Sequence, residues 1–118
     1  MLRGIIVDDA AIMRLRLREI LEKEFSIIAE AANGAEAIAL YEKLTPDFIT
    51  LDITMPQVNG LEALKSILGW YPRARVVIVS AVGQKRVVFQ ALELGAKDFI
   101  VKPFEPERVI KAIRRLFA

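Results

Sequence analysis

Short apolar runs and amphipathic helical stretches alternate five times along this chain of 118 residues. The apolar runs cover residues 2–7, 26–32, 48–51, 75–79 and 97–101, and only a few residues connect each run to the helical stretch that follows. This alternation is typical of a parallel sheet with helices on both faces. A hydrophobic fraction of 54% agrees with strands that are covered on both sides. The sequence therefore predicts a doubly wound α/β fold of five parallel strands and five helices in three layers.

The helical stretches carry apolar side chains at helical spacing. Asp9 is predicted to cap the first helix, Pro46 to follow the second, Gly95 to cap the fourth and Pro106 to lie in the first turn of the last. The predicted core positions are Met13, Leu17, Ile20, Leu21 and Phe25 in the first stretch, Ala37, Ile38, Tyr41 and Leu44 in the second, Leu61, Leu64 and Leu68 in the third, and Val109, Ile110, Ile113, Leu116 and Phe117 in the last.

The composition excludes several classes of function. The chain contains no cysteine and no histidine, which excludes a disulfide framework, thiolate chemistry and the usual ligands of a zinc site. Its net charge of +2 is too small to indicate direct binding of nucleic acid. No apolar run reaches the roughly 18 residues of a membrane span, and the N-terminus lacks the features of a signal peptide. We therefore expect one domain over residues 1–118, no membrane insertion and a cytoplasmic location.

Polar side chains end four of the five predicted strands. Asp8 and Asp9 follow the first strand, Asp52 the third, Ser80 the fourth and Lys102 the fifth. The carboxyl ends of parallel strands meet at one edge of the sheet, where ligands bind in folds of this class. If the first and third strands are neighbours, three carboxylates lie close together and repel one another unless a cation is present. Oxygen ligands alone favour Mg²⁺, Ca²⁺ or Mn²⁺, and a small number of carboxylates is typical of Mg²⁺.

The same cluster suits phosphoryl transfer. Lys102 and Ser80 supply hydrogen-bond donors beside the predicted metal, which fits a tetrahedral oxyanion. Asp52 can attack phosphorus to form an aspartyl phosphate, with the metal and Lys102 stabilising the charge. A single aspartate at a strand end is more often a helix cap or a turn former, so this interpretation depends on the residues acting together.

The chain resembles the receiver domains of two-component response regulators. The resemblance covers the whole chain and rests on residues 6–9 (IVDD), 51–56 (LDITMP) with 59–60 (NG), 79–81 (VSA) and 95–104 (GAKDFIVKPF). Each segment is weak alone, but in this order and at these strand ends they are highly specific. The resemblance implies a flavodoxin-like sheet with strand order 2-1-3-4-5. Within the family, the chain is most similar to the single-domain chemotaxis regulators.

The resemblance also implies a phosphoacceptor and a metal site. Asp52 would accept a phosphoryl group from the phosphohistidine of a sensor kinase. Asp9 and Asp52 would bind Mg²⁺ directly, with Mn²⁺ as a possible substitute, together with the backbone carbonyl of Thr54. Asp8 would act mostly through water.

Phosphoryl contacts and a switch follow from the same resemblance. Ser80, the backbone of Ala81 and Lys102 would contact the phosphoryl oxygens, and the Lys102–Pro103 peptide would be cis. On phosphorylation, Ser80 would move toward the phosphoryl group and Phe99 would turn into the space left behind. The partner face would be formed by the fourth helix, the fifth strand and the fifth helix, including Lys85, Val88, Phe89, Phe99, Val101 and Lys111.

The implied partners are a chemotaxis-type sensor histidine kinase and a flagellar switch or another effector protein. The chain would be a monomer that can dimerise when phosphorylated, and it would catalyse only its own phosphorylation and dephosphorylation. Two alternatives stay within the family: an N-terminal receiver of a larger transcription regulator, and a phosphorelay intermediate. A phosphatase with an aspartyl nucleophile is disfavoured because Thr54 occupies the position of the acid–base aspartate. A structural domain of the same fold, without phosphorylation, is the last alternative.

Overall fold

Five parallel strands form one central sheet in the computed structural model, which describes residues 1–55 and 59–118. The strands are β1 (Arg3–Val7), β2 (Ser26–Ala31), β3 (Phe48–Asp52), β4 (Val76–Ala81) and β5 (Asp98–Lys102). Their order across the sheet is β2-β1-β3-β4-β5, which confirms the predicted order. β1 and β3 are hydrogen-bonded neighbours, as the predicted carboxylate cluster requires.

In the described part of the chain, five helices cover the two faces of the sheet and confirm the three-layer architecture. They are α1 (Ala11–Leu21), α2 (Gly34–Leu44), α3 (Gly60–Trp70), α4 (Lys85–Leu94) and α5 (Pro106–Arg115). The buried residues of α2, α3 and α4 share one core cluster, and those of α1 and α5 share the other. In the part of the chain that the structure describes, every helix is too short or too polar to cross a membrane.

The inner strands are buried on both faces. In β1, Ile5 belongs to the core under α2–α4, whereas Ile6 belongs to the core under α1 and α5. β3 alternates in the same way, with Phe48 on one side and Ile49 on the other. Successive side chains of a strand point to opposite faces, so a strand covered on both sides needs a continuous apolar run. This requirement explains why continuous apolar runs in the sequence predicted the positions of the strands.

Several local predictions need correction. The predicted cap of α1 by Asp9 is wrong: the capping residue is Ala10, and its backbone N–H donates to Asp8 Oδ1 at 2.9 Å. At its carboxyl end, β4 extends two residues further than predicted and β5 one residue further, so Ser80 and Lys102 lie within the strands. The sequence also indicates a proline turn at Pro56, which lies outside the described residues.

Asparagine side chains cap two helices, at Asn-Gly pairs that are also typical of turns. Asn33 Oδ1 accepts the N–H of Glu36 at 2.9 Å, and Asn59 Oδ1 accepts the N–H of Glu62 at 2.9 Å. Each glutamate carboxylate in turn accepts from the asparagine amide at 3.2 Å. In the case of α3, this cap fixes the start of the helix beside the end of β3.

The predicted core of α3 was only partly right. Leu64 is fully buried, but Leu61 and Leu68 are only half-buried, and Ala63 and Ile67 take the inner positions instead.

Candidate metal centre

Three aspartates converge at the carboxyl ends of β1 and β3. Asp8 and Asp9 follow β1, and Asp52 is the last residue of β3. Val7 is paired with Leu51 across the two strands, so the strand ends lie level with each other. One carboxylate oxygen from each aspartate lies within 4.8 Å of the others. The structure therefore brings together the three carboxylates that the sequence predicted to share a site.

The three carboxylates differ in exposure and in their backbone contacts. Asp8 is fully buried and Asp52 is 3% exposed, whereas Asp9 is exposed to solvent. Asp52 Oδ1 accepts the backbone N–H of Thr54 at 3.0 Å, and Asp8 Oδ1 is held by Ala10. One oxygen of each buried carboxylate is thus fixed by the chain. The cluster opens to solvent on the side of Asp9.

Lys102 lies between the two buried carboxylates. Its Nζ donates to Asp52 Oδ2 at 3.3 Å and lies 2.9 Å from Asp8 Oδ2. The contact with Asp8 is an ion pair without hydrogen-bond geometry, so Asp8 Oδ2 accepts no hydrogen bond from the described residues. Burial alone would lower the pKa of Lys102, but the two carboxylates outweigh it and raise the pKa above its ordinary value. Lys102 is therefore a permanent positive charge in the site.

Burial determines the electrostatics of Asp52. Loss of solvent raises the pKa of its carboxyl group, and the N–H of Thr54 opposes that change. The negative charge of Asp8 raises the pKa further, whereas Lys102 lowers it. The net effect is a pKa above the ordinary carboxyl value, because the loss of solvent together with the charge of Asp8 outweighs Lys102 and the N–H of Thr54.

The residues of the cluster fit a hard divalent cation. All the side-chain ligands are carboxylates, two of them are buried, and Asp8 Oδ2 accepts no hydrogen bond within residues 1–55 and 59–118. Such a ligand set selects Mg²⁺ or a similar ion over zinc or copper. Metal binding by the backbone carbonyl of Thr54 remains a prediction. The neighbouring N–H of the same residue already binds Asp52.

Ser80 presents a buried hydroxyl near the cluster. It follows Val79, which is paired with Asp52 across β3 and β4. Its Oγ is buried and makes no hydrogen bond to any residue that the structure describes. A buried hydroxyl without a partner carries a free-energy cost of about 1–3 kcal/mol. A ligand oxygen beside the site would remove that cost. Ala81, the next residue, is exposed and is paired with Lys102 of β5.

An apolar groove of about 300 Å³ starts at Ser80 and lies between α4 and β5. Phe99 and Val101 of β5 line one side, and Lys85 and Phe89 of α4 line the other. Phe89 is 60% exposed, and Phe99 is half-buried. Val88 of α4 lines the groove as well, so this geometry places five of the six predicted partner-face residues around one groove.

Val88 and Lys111 differ from the other residues of the predicted partner face. Val88 is only 7% exposed and packs in the core under α4, because it lies one turn before the buried Ala91 on the inner side of that helix. Val88 therefore lines the groove as a buried residue of α4. Lys111 is exposed but borders a separate depression between α1 and α5.

Two arginines that the sequence did not single out support the site. Arg14 donates to the backbone carbonyl of Asp8 at 2.7 Å and thus fixes the chain beside the cluster. Arg108 of α5 donates to the carbonyl of Phe99 at 2.5 Å and to Asp98 Oδ1 at 3.1 Å. Neither contact follows the repeat of a helix or a strand, so the periodicity of the sequence did not indicate them. The Lys102–Pro103 peptide is cis.

The fold and the acidic cluster define a class of signalling protein. The family model of the response regulator receiver domain matches residues 5–114, and the chain belongs to this family. Protein CcdB of Bacillus subtilis is 54% identical over 98% of both chains. Chemotaxis protein CheY of Thermotoga maritima is 48% identical over 97% of this chain and 96% of the relative. Among solved structures, the CheX–CheY–BeF3–Mg²⁺ complex from Borrelia burgdorferi aligns with a TM-score of 0.94 and 38% identity, covering 99% of this chain and 90% of that one.

Proposed function

We propose that this chain is a phosphoacceptor switch of a two-component system, in which Asp52 receives a phosphoryl group from a sensor histidine kinase. The observation that carries the proposal is the position of the Asp52 carboxylate. It is buried, lies 3.3 Å from Lys102 Nζ and shares a potential metal site with Asp8 and Asp9. A carboxylate placed beside two sources of positive charge is suited to attack a phosphoryl group.

The transfer forms one bond and breaks one bond. An oxygen of Asp52 bonds to phosphorus while the bond between phosphorus and the donor imidazole breaks, and its electron pair stays on the imidazole nitrogen. Lys102 stabilises the negative charge of the transferred oxygens, and the unpartnered hydroxyl of Ser80 donates a hydrogen bond to one of them. Mg²⁺, or Mn²⁺ in its place, would be held by Asp8, Asp9, Asp52 and the Thr54 carbonyl, and supplies further positive charge when bound.

The signal is read out at the groove between α4 and β5. Movement of Ser80 toward the phosphoryl group opens space at one end of the groove, and Phe99 turns into that space. Phosphorylation thereby shifts the chain between two existing conformations of this face. The chain acts on no separate substrate in this proposal and catalyses only its own phosphorylation and dephosphorylation.

The proposed partners are a kinase of the chemotaxis type and an effector such as the flagellar switch. Support comes from the relative named as a chemotaxis protein in Thermotoga maritima, which the present chain matches over nearly its full length. The Borrelia burgdorferi neighbour was solved as a complex with CheX, so a receiver of this shape binds another protein in that case.

Incubation with Mg²⁺ and acetyl phosphate is expected to add one phosphoryl group to the protein. The adduct should map by mass spectrometry to the peptide that contains Asp52, and removal of Mg²⁺ by a chelator should prevent it. Denatured protein serves as the control for non-specific acylation or phosphorylation. Failure to form the adduct, or an adduct on another residue, would contradict the proposal.

Lys102→Ala is expected to separate metal binding from phosphoryl transfer. The ammonium group now compensates the carboxylates of Asp8 and Asp52, so its removal should leave Mg²⁺ affinity unchanged or raise it. Phosphorylation should slow about a hundredfold, because a positively charged donor to the transferred oxygens is lost. Lys65→Ala, at an exposed position of α3, is the control for loss of one lysine. Loss of Mg²⁺ binding by the Lys102 variant, measured by calorimetry, would contradict this role.

A further inference from the structure

A basic depression of about 740 Å³ lies at the edge of the sheet opposite the acidic cluster. Arg73 and Arg75 precede β4, and Lys97 precedes β5, so all three lie at the amino-terminal edge of parallel strands. Arg115, the last residue of α5, completes the lining. This depression shares no residue with the site around Asp52 and is independent of the proposed phosphorylation.

The positive charges of this depression are not compensated within the described part of the chain. Across residues 1–55 and 59–118, none of its four cations lies in an ion pair, although other arginines and Lys102 do. Among the described residues that line the depression, the single carboxylate is Asp98, which is already paired with Arg108 at 3.1 Å. Positive side chains gathered around a concave surface focus the field and attract anions.

Arg75 is held in position at the wall of the depression. Its Nε donates to the carbonyl of Leu116 at 3.2 Å, and its guanidinium group lies 4.7 Å from the ring centroid of Phe117. These contacts use only part of the donor capacity of a guanidinium group, which has five N–H donors. The remaining donors are available to an anion, and the side chain needs little reorganisation to bind it.

A second depression, of about 420 Å³, adjoins the first and is aromatic. Trp70 and Tyr71 line it, and Pro72 and Arg73 belong to both depressions. Trp70 is 82% exposed, whereas the ring of Tyr71 is fixed against Tyr41 with centroids 5.1 Å apart. Exposed aromatic rings next to basic side chains are suited to stack a base and bind its phosphates.

We propose that the two depressions form one nucleotide-binding site. Trp70 stacks on the base, and Arg73 lies at the junction, beside the ribose that joins the base to the phosphates. Arg75, Lys97 and Arg115 bind the terminal phosphates of a nucleoside diphosphate or triphosphate. Each depression falls within the usual range of about 300–1,000 Å³ for small-ligand sites.

The fluorescence of Trp70 reports this binding directly, because Trp70 is the only tryptophan in the chain. Titration with ADP is expected to give saturable quenching. Pyrophosphate should compete with ADP without quenching, and adenosine should bind far more weakly than ADP. A free tryptophan derivative corrects for absorption by the base. Quenching that rises linearly without saturation, or equal affinity for adenosine and ADP, would overturn the proposal.

Variants separate the base contact from the phosphate contacts. Arg73→Ala and Arg115→Ala should each weaken ADP binding about three- to tenfold, as expected for loss of a charged hydrogen bond on an open surface. In calorimetry, Trp70→Ala should weaken ADP binding about fivefold or more and leave pyrophosphate binding unchanged. All three side chains are exposed, so the melting temperature should stay constant.

Two further arms test specificity. Arg86→Ala removes an exposed arginine of α4, at the opposite edge of the sheet, and should bind ADP as the wild type does. A weakening equal to that of Arg73→Ala would show that net charge alone is responsible and would overturn the site. Oligothymidylate tests whether the same basic and aromatic side chains bind single-stranded nucleic acid instead of a free nucleotide. Tighter binding of this single strand than of ADP, with a steep dependence on salt, would assign the surface to single-stranded nucleic acid and overturn the nucleotide proposal.

Discussion

Asp52→Asn is expected to lose the phosphoryl adduct completely and to unfold less readily than the wild type in the absence of metal. The first effect follows because asparagine has no carboxylate oxygen to attack phosphorus. The second follows because burial and the charge of Asp8 disfavour the ionised form of Asp52, as its raised pKa indicates. A variant that gains stability while losing its chemistry cannot have lost that chemistry through misfolding.

The contribution of Asp52 to the free energy of unfolding is expected to fall as the pH rises. The pKa of Asp52 is raised in the folded protein above its ordinary value of 3.8, so the folded state binds the proton more tightly than the unfolded state. Its contribution to the free energy of unfolding is therefore fully present below pH 3.8 and is lost as the pH rises through the raised pKa. In Asp52→Asn this loss is absent, so the two proteins should differ most at neutral pH.

Thermal melts with a chelator and with Mg²⁺ measure both effects. Without metal, the midpoint of Asp52→Asn should lie above that of the wild type, by about 4 °C for each kcal/mol gained in a domain of this size. Mg²⁺ at about a hundred times its dissociation constant should stabilise the wild type by about 2.7 kcal/mol and the variant by much less.

Asp47→Asn is the matched control, because Asp47 precedes β3 at its other end and accepts the N–H of Arg3 at 2.7 Å. This variant should keep the adduct and the response to Mg²⁺, with no gain in stability. A persistent adduct on Asp52→Asn would refute the phosphoacceptor assignment. If the melting midpoint of Asp52→Asn without metal equals that of the wild type, burial and the charge of Asp8 do not destabilise the ionised carboxylate of Asp52.

Parallel-sheet geometry explains why the cluster could be predicted from the sequence. Once the strands are known to be parallel and β1 to lie beside β3, the residues that end them must meet at one edge. The prediction that Asp8, Asp52 and Lys102 lie close together therefore required no knowledge of side-chain packing. The strand order itself came from the resemblance to receiver domains, because alternation alone leaves several orders open.

Side-chain details that depend on contacts between elements could not be predicted in this way. In α4, successive apolar residues at 87–89 fit more than one helical stripe, and only packing against the sheet shows that Val88 is buried and Phe89 exposed. The contact of Arg108 with Asp98 likewise depends on where α5 packs. At the start of α1, Asp8 and Asp9 both had suitable side chains, and the sequence did not distinguish the buried one that binds the backbone.

Gly60→Ala is expected to damage both the fold and the site. Gly60 is the first residue of α3 and packs directly on the end of β3. A Cβ at this position would lie 2.8 Å from the carbonyl carbon of Asp52 and would overlap its oxygen and the Cα of Ile53. The obstructing atoms belong to the backbone and cannot rotate away, so α3 and β3 must separate. Overpacking of this kind costs about 1–3 kcal/mol.

The separation would also displace the phosphoacceptor. Asp52 reaches Lys102 and the backbone N–H of Thr54 only while the end of β3 is held in place. A shift of about 1 Å in such a residue can reduce the rate about a hundredfold. Phosphorylation of the folded fraction of Gly60→Ala should therefore slow to that extent, with the folded fraction measured by circular dichroism.

Gly69→Ala provides the contrast within the same helix, because a Cβ on Gly69 meets no atom within 4 Å. Alanine is the better helix former by up to about 1 kcal/mol, so this variant should be slightly more stable than the wild type and should be phosphorylated at the same rate. Opposite stability changes from the same substitution at the two ends of α3 would show that contact with β3 is the cause. Equal stability and equal rates in the two variants would mean that the start of α3 can move away from β3 without disturbing Asp52, and the tight packing at Gly60 would then have no part in positioning the site.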